Sequence, residues 1–351
     1  MIKIAIIGTG GMANAHVAEF VKLDYCKITA CSDIVPGRAE EFAQRHNIPS
    51  YYESTAVLLA NEELDAVSIV TPDQHHKEPV LMAIDRGLHV MCEKPLAFTL
   101  ADAREMAKAA KEKGIFTAVN FARRNTGSAQ EAARIAQSGD LGRIMHVQCT
   151  YLQAWLATNQ WGDWRETPAF LWRMSAKHGS AGALGDIGVH IYDLATFAAG
   201  DITEICCDLK TFKKDIDSLG DYVFDANDSF IAAVRFANGA IGVIQASRWC
   251  AGDVNTVTLK VSGDKGSLDY QEFRPDGKDL SVCMGDDIHS SPPVWKPVDC
   301  PETKSTYERF AESIRDGVQG QTSFDGAVKV QSYLEHSFIS YKEGGFVKVE
   351  F

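Results

Sequence analysis

Residues 3–20, KIAIIGTGGMANAHVAEF, limit what this chain can fold into more than any other stretch. The apolar run KIAIIG at 3–8 reads as a strand buried on both faces, the usual state of a strand in a parallel sheet. It runs straight into a glycine-rich turn and then into a helical pattern over 13–22, with Ala13, Val17, Phe20 and Val21 on its apolar face. The turn, GTGGMA at 8–13, has the spacing G-x-G-x-x-A. Gly8 permits the tight turn, Gly10 lets a pyrophosphate approach the backbone, and Ala13 is small enough for the helix to lie close to the sheet. Gly11 and Met12 complete the loop. A phosphate held there meets free helix N–H groups and the positive end of the helix dipole. Such a turn carries little by itself, but here it follows a strand, opens a helix and sits in a βαβ unit, which is the context a dinucleotide site requires.

The alternation continues. KITACSD at 27–33, LDAVSIVTP at 64–72, LHVMCEKP at 88–95 and IFTAVNF at 115–121 read as strands separated by helical segments. The most regular of these helices, 99–113, has Thr99 and Asp102 at capping spacing and Gly114 just past its end. Strand–helix alternation of this kind requires a parallel sheet covered on both faces, so residues 1–121 are expected to form a doubly wound α/β domain. Asp33 ends the second strand, where a carboxylate accepts the ribose hydroxyls and repels a 2′-phosphate. That favours NAD, while Arg38 close by leaves NADP open.

After residue 121 the pattern changes. Long strands are expected at 143–155, 228–236, 240–249 and 255–263, with hairpin turns at ANG 237–239 and DKG 264–266. Residues 122–351 therefore read as an α+β domain with a large, mostly antiparallel open sheet, partly covered by helices at 304–317 and 323–342. Apolar residues on both parities of 228–236 suggest a sheet covered on both faces, by helices on one side and a partner chain on the other. A length of 351 residues is itself too great for one ordinary core. The net charge of −12, with RR at 123–124 as the densest basic spot, excludes a general nucleic-acid or acidic-membrane surface. Nine scattered cysteines, never as CxxC, read as reduced thiols, and no apolar run reaches membrane-spanning length. With a strand starting at the first residues, no signal peptide is expected and the location is expected to be cytoplasmic.

Two further stretches carry chemistry. EKP at 93–95 places Lys94 at the carboxyl end of a strand, the edge where open α/β sheets bind ligands, and Pro95 narrows the lysine's backbone freedom. LGDIGVHIYDL at 184–194 puts Asp186 and His190 four residues apart, on one face of the expected helix, with Ile187, Ile191 and Leu194 on the other. Glycines at 182, 185 and 188 weaken a helix interior by roughly 1 kcal/mol each, a cost that becomes sensible where a cofactor and a substrate come close. Asp186, His190 and Asp193 have no further Cys or His cluster beside them, so no metal is expected. A Tyr-x-x-x-Lys dehydrogenase pair is excluded by inspection. The segment 150–173 holds four of the six tryptophans, Trp155 among them, together with Gln153. Aromatic faces beside hydrogen-bonding groups suit a pyranose or cyclitol ring, and the same pattern suits a packed sheet edge; both readings stay open.

Strand–GxGxxA, Asp33, TPDQHH at 71–76, EKP at 93–95 and GDIGVH at 185–190 together resemble the Gfo/Idh/MocA oxidoreductases, in motif order over nearly the whole chain. The resemblance implies a Rossmann domain followed by a domain with a large open sheet. It also implies that Lys94, Asp186 and His190 are catalytic and meet the substrate together with Arg123. Thr71, His76 and Glu93 would lie near the nicotinamide, bordered by Trp164 and Arg165. The activity implied is NAD(P)-dependent oxidation of a secondary hydroxyl of a sugar, inositol or related polyol. An imidazole suits a base at neutral pH, so His190 takes the hydroxyl proton while Lys94 holds the substrate oxygen; Lys94 as the acceptor is the other assignment. Relatives pair through the open sheet, which implies a homodimer or homotetramer. An NAD-dependent glycosidase working by transient oxidation, and a non-catalytic dinucleotide-binding regulator, are the alternatives of this resemblance; the regulator is expected to lack the Lys–His pair.

Overall fold

The computed structural model describes residues 1–351, except for the side chains of residues 168 and 169. The chain divides into two compact units. The first comprises Met1–Phe121 and Lys304–Gln331, and the second Ala122–Thr303 and Ser332–Phe351.

In chain order the first unit contains β1 (Ile2–Ile7), α1 (Ala13–Phe20), β2 (Cys26–Ser32), α2 (Arg38–His46), β3 (Ser50–Tyr52), α3 (Thr55–Asn61), β4 (Ala66–Ile69), α4 (Lys77–Asp85), β5 (His89–Cys92), α5 (Leu100–Glu112) and β6 (Thr117–Val119). The six strands form one parallel sheet in the order β3-β2-β1-β4-β5-β6, the doubly wound arrangement the alternation required. Ile4, Ile6, Ala66, Met91 and Ala118 are buried in its core, with Val17 and Phe20 from α1 against them. Thr99 caps α5 by accepting the Asp102 N–H.

The second unit contains α6 (Gly127–Ser138), β7 (Ile144–Leu152), the single turn α7 (Pro168–Leu171), α8 (Val189–Ala199), β8 (Ile202–Lys210), β9 (Ser218–Leu219), β10 (Tyr222–Val223), β11 (Ser229–Phe236), β12 (Ile241–Ser247), β13 (Thr256–Gly263), β14 (Gly266–Gln271), β15 (Leu280–Met284), β16 (Lys296–Pro297) and, at the end of the chain, β17 (Val347–Lys348). Nine strands form a sheet in the order β16-β15-β14-β13-β7-β12-β11-β8-β17. Only β7 and β12 run parallel, every other neighbouring pair being antiparallel. The turns at 237–239 and 264–266 make the β11–β12 and β13–β14 hairpins as expected.

One expectation changes, and another is met on one face alone. In β11 only one parity is covered: Phe230, Ala232, Val234 and Phe236 are buried, whereas Ile231 is 57% exposed. Helices α6 and α8 lie on one face of the sheet, and the other face is open in the single chain. The helix α9 (Thr306–Asp316) does not cover this sheet. Its Tyr307, Phe310 and Ala311, spaced as one helical face, join the core of the first unit against α1. The last helix, α10 (Phe324–Glu343), crosses the division between the units. Its later part serves the second unit: Ser337 meets the Tyr192 hydroxyl at 2.7 Å and Ser340 accepts the Cys207 N–H at 2.8 Å.

Candidate functional site

In the first unit, β1 delivers the chain to Gly8, which has φ +88°. A Cβ there would lie 2.8 Å from the backbone of Val70 and Thr71, so the end of β4 demands glycine. At Gly10 and Gly11 a Cβ would meet nothing within 4 Å. The space over these two amides is open, and the Met12 side chain makes no capping bond to α1. The cradle therefore has room for a pyrophosphate at the helix N-terminus, and the residues fit a dinucleotide.

Asp33 stands at the end of β2 with its carboxylate held by the chain itself. Oδ2 accepts the Thr9 N–H at 2.9 Å and the Thr9 hydroxyl at 3.0 Å, Oδ1 accepts the Val35 N–H at 2.9 Å, and Arg38 approaches at 3.6 Å. Burial alone would raise the carboxyl's pKa, but the donors from Val35 and Thr9, helped by Arg38, outweigh it and the pKa is lowered. Thr9, an ordinary loop residue in the sequence, is thus one of the devices that fix the Asp33 carboxylate.

The residues after β4 and β5 are tied to one another. His76 is fully buried, with Nε2 2.8 Å from the Thr71 carbonyl and Nδ1 3.0 Å from the Pro95 carbonyl. It links the loop after β4 to the segment containing Lys94. Glu93 is also buried. Its Oε1 lies 2.8 Å from His16 Nε2 and 2.7 Å from Asn120 Nδ2, and its Oε2 accepts the Lys94 N–H at 3.1 Å. Burial opposes ionisation of Glu93, yet the His16 and Asn120 donors and the Lys94 charge bring its pKa down to about 2. Lys94 is half-buried. His16 and Asn120 were not singled out from the sequence. The available signal was a histidine in phase with Ala13 and Phe20 on the apolar face of α1.

In the second unit, Leu184–Gly188 is a π-helical turn leading into α8, not the regular α-helix the spacing suggested. Such turns insert a residue into the helical ladder and cluster at functional sites. Between residues 182 and 195 only Asp186 and His190 are less than buried. The turn and the first part of α8 thus leave these two side chains half-buried where their neighbours through residue 195 are buried. The glycines around them make room for the protein's own atoms, a correction to the reading that they admit a cofactor and sugar. A Cβ at Gly188 would sit 2.8 Å from the Phe230 ring, one at Gly185 2.3 Å from Ala181 Cβ, and one at Gly182 2.3 Å from Asn227.

Asp186 Oδ2 accepts from Arg248 Nη2 at 2.9 Å, with Arg173 Nε at 3.6 Å. Arg248 is fully buried and lies over the Trp155 ring at 5.2 Å. Arg124 pairs with the buried Asp193, one turn beyond His190. Arg123 donates to both Glu272 oxygens at 2.8 Å and to the Tyr151 hydroxyl at 2.7 Å, and the Tyr151 ring lies 6.2 Å from that of His190. Arg248, Glu272 and Tyr151, each more than 25 residues from its partner, had no local signal.

Two of the four tryptophans of the rich stretch join a small core. Trp155 and Trp164 are buried with Leu156, Leu171, Met174 and Phe224. Trp155 stacks on Phe170 at 5.1 Å and donates Nε1–H to Gln153, whose own amide donates to Asn255. Trp155 and Trp164 pack in this way, whereas Trp161 is 38% exposed. Arg165 lies over Trp164 and pairs with Asp163 and Asp215. No cluster of three or more metal-ligating side chains exists among the described residues.

A parallel sheet in this strand order, with an open glycine cradle and a fixed carboxylate at the end of the second strand, defines a dinucleotide-binding protein of the Rossmann class. Family models agree and go further. Residues 2–121 match the oxidoreductase family with an NAD-binding Rossmann fold, and residues 129–269 match the Gfo/Idh/MocA C-terminal domain. The chain belongs to the Gfo/Idh/MocA family of oxidoreductases. Among its relatives, levoglucosan dehydrogenase of Pseudarthrobacter phenanthrenivorans is 29% identical over 82% of this chain and 77% of that protein. The NAD(+)-dependent scyllo-inositol 2-dehydrogenase of Bacillus subtilis is 25% identical over 90% and 87%. A solved structure of levoglucosan dehydrogenase with NADH and L-sorbose superposes with a TM-score of 0.88 at 26% identity, covering 99% of both chains. Among the described residues no helix is long and apolar enough to cross a membrane.

Proposed function

We propose that this protein is an NAD-dependent dehydrogenase that oxidises a secondary hydroxyl of a sugar, inositol or related polyol, or reduces the corresponding ketone. The observation that carries the reading is the joint partial exposure of Asp186 and His190 on an otherwise buried turn, in a chain that also presents the half-buried Lys94 after β5. The relatives that act on levoglucosan and scyllo-inositol support the substrate class.

Bound at the α1 cradle, with Asp33 toward its ribose, NAD supplies the hydride acceptor. The residues of the chain manage the proton and the orientation. His190 accepts the hydroxyl proton, an imidazole being suited to that exchange near neutral pH. Lys94 donates to the same oxygen and stabilises the negative charge that develops there. Asp186, held by Arg248, accepts from a neighbouring hydroxyl and sets the ring's orientation. Arg123 acts through the Glu272–Tyr151 cluster beside His190. A second copy of the chain covers the open face of the nine-stranded sheet.

The test is an NAD- or NADP-coupled absorbance screen at about 340 nm of levoglucosan, inositols, hexoses and glycosides with the purified protein. Stoichiometric NADH formation with a cyclic polyol is the expected result. A protein that binds NADH and turns over no polyol in either direction overturns the reading.

A further inference from the structure

A carboxylate buried among the strands of a parallel sheet is costly unless its oxygens are satisfied by well-placed donors. Glu93 is buried so, directly before Lys94, and its donors come from three separate segments. His16 belongs to α1, Asn120 follows β6, and the third donor is the N–H of Lys94 itself. Because Glu93 is ionised it only accepts, so His16 Nε2 and Asn120 Nδ2 both donate to it.

Behind these donors stands another rank. His16 Nδ1 lies 2.7 Å from Ser68 Oγ on β4, so one ring spans from that strand to Glu93. The second N–H of Asn120 donates to the Tyr307 hydroxyl at 3.0 Å, and Tyr307 sets its ring edge-on to His16 at 4.9 Å and to Phe20 at 5.3 Å. Asn120 Oδ1 is buried without a protein hydrogen-bond partner. The amide is therefore oriented by what its N–H groups reach, and turning it over would set its oxygen against the Glu93 carboxylate. His16 is one turn inside α1, the helix whose start forms the dinucleotide cradle.

We propose that His16, Glu93 and Asn120 form a positioning network that fixes the backbone from which Lys94 extends and ties it to the cofactor-bearing helix α1. The proposal rests on the reading of Lys94 as the residue that handles the substrate oxygen. None of the three touches reacting atoms; they act through Lys94. A loosened lysine root misplaces the ammonium without emptying the cradle, so turnover and dinucleotide binding separate.

Glu93→Gln is the sharpest variant. Its amide oxygen still accepts from His16 and Asn120, while its NH2 confronts the Lys94 N–H with a second donor. Two readouts apply: NADH titration by fluorescence with steady-state turnover, and the rate at which acetic anhydride labels Lys94 relative to the other lysines, read by peptide mass spectrometry. Glu93→Gln is expected to lower kcat about tenfold to a hundredfold, with the NADH Kd held within about twofold. The relative labelling of Lys94 should change by about threefold or more. His16→Ala should behave alike, and His16→Gln, which keeps an N–H donor, should recover much of the loss. If His16→Ala fails to fold, Glu93→Gln and His16→Gln still decide. Wild-type kcat and Lys94 labelling in Glu93→Gln, or equal loss in both His16 variants in step with melting temperature, overturns the network. Undiminished turnover in Lys94→Ala refutes the role of Lys94 instead, and labelling alone then decides whether the network places that side chain.

Discussion

Lys94 and His190 carry the chemistry proposed here, and each is open to direct test. Lys94→Ala removes a donor to the developing oxyanion, and His190→Ala removes the proton acceptor. Each should lower kcat/KM on the order of 10²- to 10⁴-fold while NADH affinity stays near wild type. A loss that appears only as weaker NADH binding would contradict both roles. Glu93 gives a second, independent observable. Its folded pKa of about 2 lies below the ordinary 4.5, so its contribution to stability is fully present above pH 4.5 and fades as pH falls toward 2. Melting curves of wild type and Glu93→Gln should therefore differ most at neutral pH and converge under acid. A gap of constant size down to pH 2 would mean that the buried carboxylate is not the ionised partner of His16 and Asn120.

At the scale of elements, the π turn at Leu184–Gly188 explains why Asp186 and His190 emerge together from a buried run. It also makes Gly188 a packing position. Gly188→Ala drives a methyl to 2.8 Å from Phe230 on β11, and overpacking of this kind costs about 1–3 kcal/mol. The urea midpoint should fall accordingly with unchanged slope; a neutral effect would show that the turn relaxes freely. None of this was readable locally. The acid, the histidine and the glycines stood out in the sequence, but their spacing pointed to a plain α-helix because the atoms that crowd the glycines belong to Ala181, Asn227 and Phe230. The β1–loop–α1 unit was legible for the opposite reason: strand period, turn glycines and helix face all lie within twenty or so residues and agree. His16 falls between the cases. Its place on the apolar face was visible, but its partner Glu93 lies 77 residues away. The tryptophan stretch stayed ambiguous because a sugar platform and a small core demand the same aromatic residues.

For the molecule as a whole, periodicity tells which face of an element is buried and not which sheet it meets. Tyr307, Phe310 and Ala311 marked α9 as amphipathic, yet the core they complete contains Ile4 and Phe20 from the start of the chain. The same limit applies to the nine-stranded sheet. Both parities of β11 are apolar in the sequence, yet in the single chain only one is covered, and the other exposes Ile231, with Ile241 on the adjacent β12, 57% and 56% exposed. A sheet face that exposes isoleucines on adjacent strands is one that a second copy of the chain can cover across a two-fold axis. Light scattering should accordingly give the mass of a dimer or tetramer of the 38.4 kDa chain and not that of the single chain. Ile231→Glu places a like charge opposite its own copy across a two-fold interface. It should shift the mass toward 38.4 kDa while leaving the monomer's core untouched, because Ile231 contributes nothing to the covered face. If the variant keeps the oligomer, the copies meet elsewhere. If the wild type is already a monomer, the open face needs a different partner, and the exposure of Ile231 and Ile241 becomes the first clue to it.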